Sequence, residues 1–249
     1  MATIWTYSLL SVFVVSLIAF VGIFTFPIKE NKLKNLLLYF VSFSTGALLG
    51  DVFIHLLPEA TEERGFNLMV STQVLLGIIV SFIIEKFIHW RHSQNTSHKE
   101  RPHIVSTMSL IGDSVHNFID GLVIGASYLL NTPVGIATTI AVILHEIPQE
   151  IGNYGVLLHD GYTKNRALFF NFITALTAFL GAILALFVST RTGDLTRFLI
   201  PFTAGNFIYI AGSDMIPELH KEVGIRKNIY QFFALILGVL MMGSLLYVE

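Results

Sequence analysis

The chain has 249 residues, 53% of them hydrophobic and 13% charged, with a mean hydropathy of +0.69 and a formal net charge of -2. A soluble domain carries about 25% charged residues, so this chain has too little charge to coat a water-facing surface, and it lacks the basic surplus that a nucleic-acid partner requires. With no cysteine present, disulfides and thiolate metal sites are excluded, and any metal must be held by imidazole, carboxylate or amide groups.

In chain order, the first apolar run continues to about Phe26 and no Lys or Arg precedes it. It reads as a spanning helix rather than a cleavable signal peptide. Spans of roughly 20 apolar residues, separated by turn signals, are expected at about 4–26, 35–57, 69–89, 104–130, 133–158, 166–190, 196–217 and 226–248. Lys29-Glu30-Asn31-Lys32, Glu62-Glu63-Arg64-Gly65, Asn131-Thr132-Pro133, His159-Asp160-Gly161 and Thr192-Gly193-Asp194 mark the turns. The fold class expected is an all-α integral membrane protein with eight transmembrane helices. It would form one polytopic domain, 1–249, with a cytoplasmic loop at about 90–103.

Basic residues orient the spans. If the loops alternate sides, 12 of the 15 Lys and Arg share one side, and Arg64, Arg191 and Arg197 take the other. That asymmetry places both termini outside the cytoplasm. An inverted repeat of helices 1–3 and 6–8 is also expected. The stretch from Gly46 through His55 to Pro58-Glu59 aligns with that from Gly205 through Asp214 to Pro217-Glu218. Inverted repeats in transporters carry the substrate site near the membrane midplane.

The fourth and fifth helices carry the chemistry. Asp113, His116, Asn117 and Asp120 lie on one, and His145, Glu146, Gln149 and Glu150 on the other. An ionisable group at bilayer depth costs at least about 2.5–3.5 kcal/mol, and a bound cation offsets that cost. His116 and Asp120 are four residues apart, as are His145 and Gln149, so each pair stacks on one helical face. Two imidazoles with a carboxylate and an amide oxygen suit Zn²⁺, whereas Mg²⁺ or Ca²⁺ prefers oxygen alone. Pro148 removes a backbone donor and is expected to free the carbonyl near Leu144. Gly121 and Gly125 are expected to let the fourth helix approach its neighbours closely.

The strings His116-Asn117-x-x-Asp120-Gly121 and His145-Glu146-x-Pro148-x-Glu150 resemble the two signatures of the ZIP family of metal transporters, in its LIV-1-like branch, and the likeness covers essentially the whole chain. The resemblance implies eight helices and import of Zn²⁺ towards the cytoplasm, with Fe²⁺, Mn²⁺ or Cd²⁺ as alternatives. It also implies a primary site of His116, Asp120, His145 and Gln149, and a second metal position using Asn117, Asp120, Glu146 and Gln149. The sixth helix reads Leu176-Thr177-Ala178-Phe179, without the carboxylate that completes a binuclear centre in relatives. Glu150 ranks below these as a ligand, gate residue or solvated pore group.

Other readings stay open. An integral-membrane zinc hydrolase could use the same cluster, with Glu146 or Glu150 as general base. The metalloprotease string His-Glu-x-x-His is not matched, because Gln149 holds its last position. His55, with Asp51 one turn earlier, is a pore-mouth residue or an interfacial histidine. Glu59, Glu62 and Glu63 would make the outer mouth acidic, and Asp160, Asp214 and Glu218 would serve release on the other side. The histidines at 89, 92, 98 and 103 form a metal-catching loop or a plain solvated one. The remaining expectations are a transporter rather than an enzyme, a divalent metal ion and the lipid bilayer as partners, no nucleic acid, and a homodimer. The short loops point to a prokaryotic plasma (inner) membrane.

Overall fold

The computed structural model describes residues 2–25, 30–62, 65–94, 104–189 and 194–247. Among these residues there are eight helical rods and no strand. α1 runs Ala2–Leu17 and tightens into a 3₁₀ turn at Ile18–Thr25. α2 runs Glu30–Gly50, passes through a π-helical segment at Asp51–Leu56 and ends with Leu57–Glu62. α3 is Leu68–Gln94, α4 is Ile104–Leu130 and α5 is Thr132–His159. α6 is broken at Leu176 into Lys164–Ala175 and Thr177–Ser189. α7 runs Asp194–Tyr209, through a second π segment at Ile210–Met215, to Ile216–Leu219, and α8 is Ile225–Leu245.

Each expected span has its rod, with ends displaced by a few residues. Among the described residues, five helical stretches are long and apolar enough to cross a membrane: Ala2–Phe24, Asn35–Glu62, Leu68–Phe87, Lys164–Val188 and Ile225–Leu245. α4, α5 and α7 fall outside that set because polar side chains interrupt their apolar runs. The loop from 95 to 103, with His98 and His103, lies outside the described residues.

Local chemistry sets the turns. The Asn131 side chain accepts from the Val134 N–H at 2.8 Å, with a proline in the first turn of α5, so the α4–α5 connection is a single residue. Asn67 caps α3 through the N–H groups of Met69 and Val70. Gly65 and Gly161 take φ values of +69° and +90°, the left-handed region that glycine enters without Cβ strain.

Glycines bring three pairs of rods into backbone contact. A Cβ at Gly46 would strike the Leu235 carbonyl of α8, and one at Gly238 would strike Phe43 of α2. Gly77 of α3 lies on Phe202 of α7, and Gly205 of α7 on Val74 of α3. Gly121 of α4 rests on Ala178 of α6, and Gly181 returns the contact on Phe118. Contacts advance in the same direction along both members of each pair: Gly46 on Leu235 then Gly50 on Met242, and Gly121 on Ala178 then Gly125 on Ala185. Along α3 and α7, Gly77 meets Phe202, Ser81 donates to Asn206 at 2.6 Å and Tyr209 donates to Glu85. α2 with α8, α3 with α7 and α4 with α6 therefore run parallel, as strict alternation of eight rods requires.

The repeat is visible in the backbone. Gly46, the π segment Asp51–Leu56 and Pro58 correspond at one constant offset to Gly205, the π segment Ile210–Met215 and Pro217. Their packing corresponds as well, since α2 rests on α8 where α7 rests on α3. With alternating rods, α2 and α7 run in opposite senses, so the relation is an inversion.

Candidate metal centre

Pro148 sits inside α5. Proline lacks an N–H and clashes with the carbonyl one turn back. The Leu144 carbonyl is taken by Ser44 Oγ of α2 at 2.6 Å, so the freed acceptor becomes a tie between helices. Immediately beside this opening, α5 presents His145 and Glu146 to α4.

Four side-chain atoms converge there. His116 Nε2 and His145 Nε2 are 3.3 Å apart. Asp120 Oδ2 lies 3.5 Å from His116 Nε2 and 3.2 Å from His145 Nε2. Glu146 Oε1 lies 3.3 Å from the first nitrogen and 3.5 Å from the second. Zinc binds nitrogen and oxygen tetrahedrally at about 2.0–2.1 Å, which places neighbouring donors about 3.3–3.4 Å apart. The five spacings bracket that figure. The set is the size of a zinc coordination sphere.

The donors are aimed inward. His145 Nδ1 donates to the Ala141 carbonyl at 3.1 Å, which turns Nε2 towards Asp120 Oδ2 and His116 Nε2. Asp120 Oδ1 and Glu146 Oε1 are buried with no hydrogen-bond partner. Buried polar atoms are normally satisfied, and of the four converging atoms Glu146 Oε1 is one without a hydrogen-bond partner, so a cation there would complete the set. Asp120, His145 and Glu146 are fully enclosed, and the His116 side chain is 21% exposed.

His116 faces a cavity of about 460 Å³, which His145, Gln149 and Asn153 also line. The cavity runs to Glu85 of α3 and to Tyr209 and Glu218 of α7. On its other side the cluster is backed by the Phe207 ring, 5.9 Å from that of His145, and by the buried apolar core.

Glu146 stands in the compact four, while Gln149 lines the cavity and turns its amide nitrogen to Asp113 Oδ1 at 3.5 Å. Asn117 is buried beside the cluster, donating to Asp113 through Nδ2 and leaving Oδ1 unpartnered. Glu150 points elsewhere: its Oε2 accepts from Asn171 Nδ2 of α6 at 2.6 Å. His55 is buried with Nε2 3.0 Å from the Met242 carbonyl, and Asp51 Oδ2 accepts from Thr138 at 3.2 Å.

Sequence reasoning missed the contribution of α6. Asn171 and Thr174 reach Glu150 and Asp113, and their signal was two polar residues three apart in an apolar helix. Ser81, Glu85, Asn206 and Tyr209, which lie along the cavity, were missed as well. They too are isolated polar residues at helical spacing.

The ZIP Zinc transporter family model matches residues 2–105 and 89–246. The chain is 30% identical to zinc transporter zipt-7.2 of Caenorhabditis elegans, covering 96% of this chain and 65% of that protein. It is 28% identical to zinc transporter SLC39A7 of Mus musculus, covering 99% and 71%. With the zinc transporter ZIP13 homolog of Drosophila melanogaster it shares 29% identity over 97% of this chain and 88% of the relative. It thus spans just under two thirds of the nematode protein's length. By family match and whole-chain similarity, this chain belongs to the ZIP zinc transporter family.

Proposed function

We propose that the chain carries a divalent transition metal, Zn²⁺ first and Fe²⁺, Mn²⁺ or Cd²⁺ as alternatives, through a bilayer by way of His116, Asp120, His145 and Glu146. The observation that carries this reading is the convergence of two imidazole nitrogens and two carboxylate oxygens at tetrahedral spacing. The relatives named as zinc transporters support the choice of metal.

The side on which the cavity opens is read from the charges. Glu85 adjoins Lys86, and Glu218 is one turn from Lys221, so the cavity opens towards the loops that hold most Lys and Arg. By the positive-inside rule that side is cytoplasmic and both termini are extracytoplasmic. The structure then corresponds to an inward-open state, with His116 as the ligand nearest the exit. The parallel rod pairs support eight crossings. Transport is import: the cation exchanges waters for the four donors while the outer side is open, and leaves past Gln149 and Asn153 towards Glu218. A plasma membrane and a homodimeric assembly complete the proposal.

A membrane hydrolase fits less well. Catalytic zinc keeps a coordination position for water, whereas here four protein donors already fill a tetrahedron. The test is zinc flux into proteoliposomes, comparing the native chain with His116→Ala plus Asp120→Ala. Flux is expected to vanish in the double variant while the protein remains in the membrane. Native-like flux in that variant would overturn the site; bound zinc without flux in the native chain would overturn transport.

A further inference from the structure

One turn from the four donors, on the cavity side, Asp113 of α4 forms a second buried polar centre with the opposite character. Its Oδ1 accepts from Asn153 Nδ2 at 2.6 Å, from Asn117 Nδ2 at 3.3 Å and from Gln149 Nε2 at 3.5 Å. Asn117 Nδ2 also donates to the Asp113 backbone carbonyl at 3.1 Å. Its Oδ2 accepts from Thr174 Oγ1 of α6. Asp113 itself is 5% exposed.

A carboxylate only accepts hydrogen bonds. An amide lying against it must therefore turn its NH₂ inward and its oxygen away. For Asn153 the outward oxygen is taken by Ser109 Oγ at 3.4 Å, which makes Asn153 a brace. For Asn117 the outward Oδ1 is fully buried and has no hydrogen-bond partner. Gln149 lines the same cavity as His116 and His145. A free amide could present either end to a cation; these two are restricted to the oxygen end, the one a cation binds.

We propose that Asp113 is a positioning residue for metal recognition. Its carboxylate holds the amide nitrogens of Asn117 and Gln149, so that both amide oxygens face a cation passing between the four-donor cluster and the cavity. Thr174 and Asn153 hold Asp113 in place, which makes α6 a supporting wall of the site. This inference rests on the metal-transport reading above. Asp113→Asn keeps the shape but replaces a charged acceptor with a neutral one, so the amide nitrogens of Asn117 and Gln149 are held less tightly, because hydrogen bonds to an ionised acceptor are roughly twice as strong.

The test is zinc uptake by the reconstituted full chain as a function of free Zn²⁺. Native protein is compared with Asp113→Asn, with Asn117→Ala plus Gln149→Ala, and with the triple variant. Loss of a group that orients a metal ligand costs about 10–100-fold in affinity. Asp113→Asn is expected to raise KM about tenfold with kcat within about twofold. In the background lacking both amides, the same substitution is expected to add less than about twofold, because coupled residues are not additive. A native KM in Asp113→Asn, or full additivity in the triple variant, overturns the proposal. Should Asp113→Asn fail to accumulate, Thr174→Val loosens the same carboxylate and is expected to shift KM the same way; an unchanged KM there overturns it too. His116→Ala plus Asp120→Ala separates the two failures. Uptake surviving in that control removes the metal site itself, whereas a dead control with native-like Asp113→Asn removes only the positioning role.

Discussion

Two polar centres lie one helical turn apart on α4 and α5, and they are built in opposite ways. Around Asp113, one acceptor is surrounded by donors, and both carboxylate oxygens have hydrogen-bond partners. Around Asp120, its Oδ2 and Glu146 Oε1 converge on two histidine nitrogens, Glu146 Oε1 has no hydrogen-bond partner, and His145 Nδ1 donates away from the cluster to the Ala141 carbonyl. Both centres are buried, so burial does not distinguish them. What distinguishes them is the balance of donors and acceptors. A surplus of converging acceptors in a dry interior is a site awaiting a cation, because unsatisfied buried groups are otherwise costly.

The largest expected effect is the complete loss of zinc flux on removing His116 and Asp120, which strikes only the acceptor-rich centre. Next comes the roughly tenfold KM change on altering Asp113, which links the two centres. Stability without metal then sharpens the contrast. In chelated, metal-free protein, Asp113→Asn is expected to lose about 1–2 kcal/mol, because it replaces hydrogen bonds to a charged acceptor with neutral ones. Glu146→Gln in the same protein should cost less than half of that, because it relieves a crowding of acceptors. Urea titration in mild detergent measures both, and equal losses would erase the distinction drawn here.

Acidification provides a further cut. Imidazole and carboxylate donors must be free of protons to bind metal, so protons compete with zinc at the four-donor centre. Zinc affinity, followed by isothermal titration, is expected to fall as pH drops. An affinity flat between pH 7.5 and pH 5.5 would argue against histidine ligation. The smallest effect belongs to Ser44→Ala. It leaves the Leu144 carbonyl without its hydroxyl partner and should cost about 1 kcal/mol of stability in the same urea titration. A native midpoint would mean another donor, such as water from the cavity, replaces Ser44.

How much of this was legible in the sequence varies by residue. His116 and Asp120 were readable as one face of α4 from their spacing alone, and Pro148 predicted a freed carbonyl near Leu144, where Ser44 now binds. That Glu146, and not Gln149 alone, closes on both imidazole nitrogens was not readable. Both sit within one turn of His145, and periodicity says which residues share a face but not how α5 is rotated and raised against α4. Asn171 and Thr174 were invisible for a related reason: their role depends on α6 packing onto α4 through Gly121 and Gly181, a contact far apart in sequence.

By itself, then, the sequence determined the membrane as solvent, the order and approximate extent of the rods, the side expected to hold the basic loops and the two helices that carry the histidines and carboxylates of the candidate site. These follow from composition and short-range periodicity, which are properties of one segment at a time. Only the tertiary structure decided which four donors meet, that Asp113 is matched while Asp120 is not, and that the cavity opens past Glu85 and Glu218. Those outcomes depend on distances between helices, and the glycine contacts that set such distances act between segments the chain itself keeps far apart.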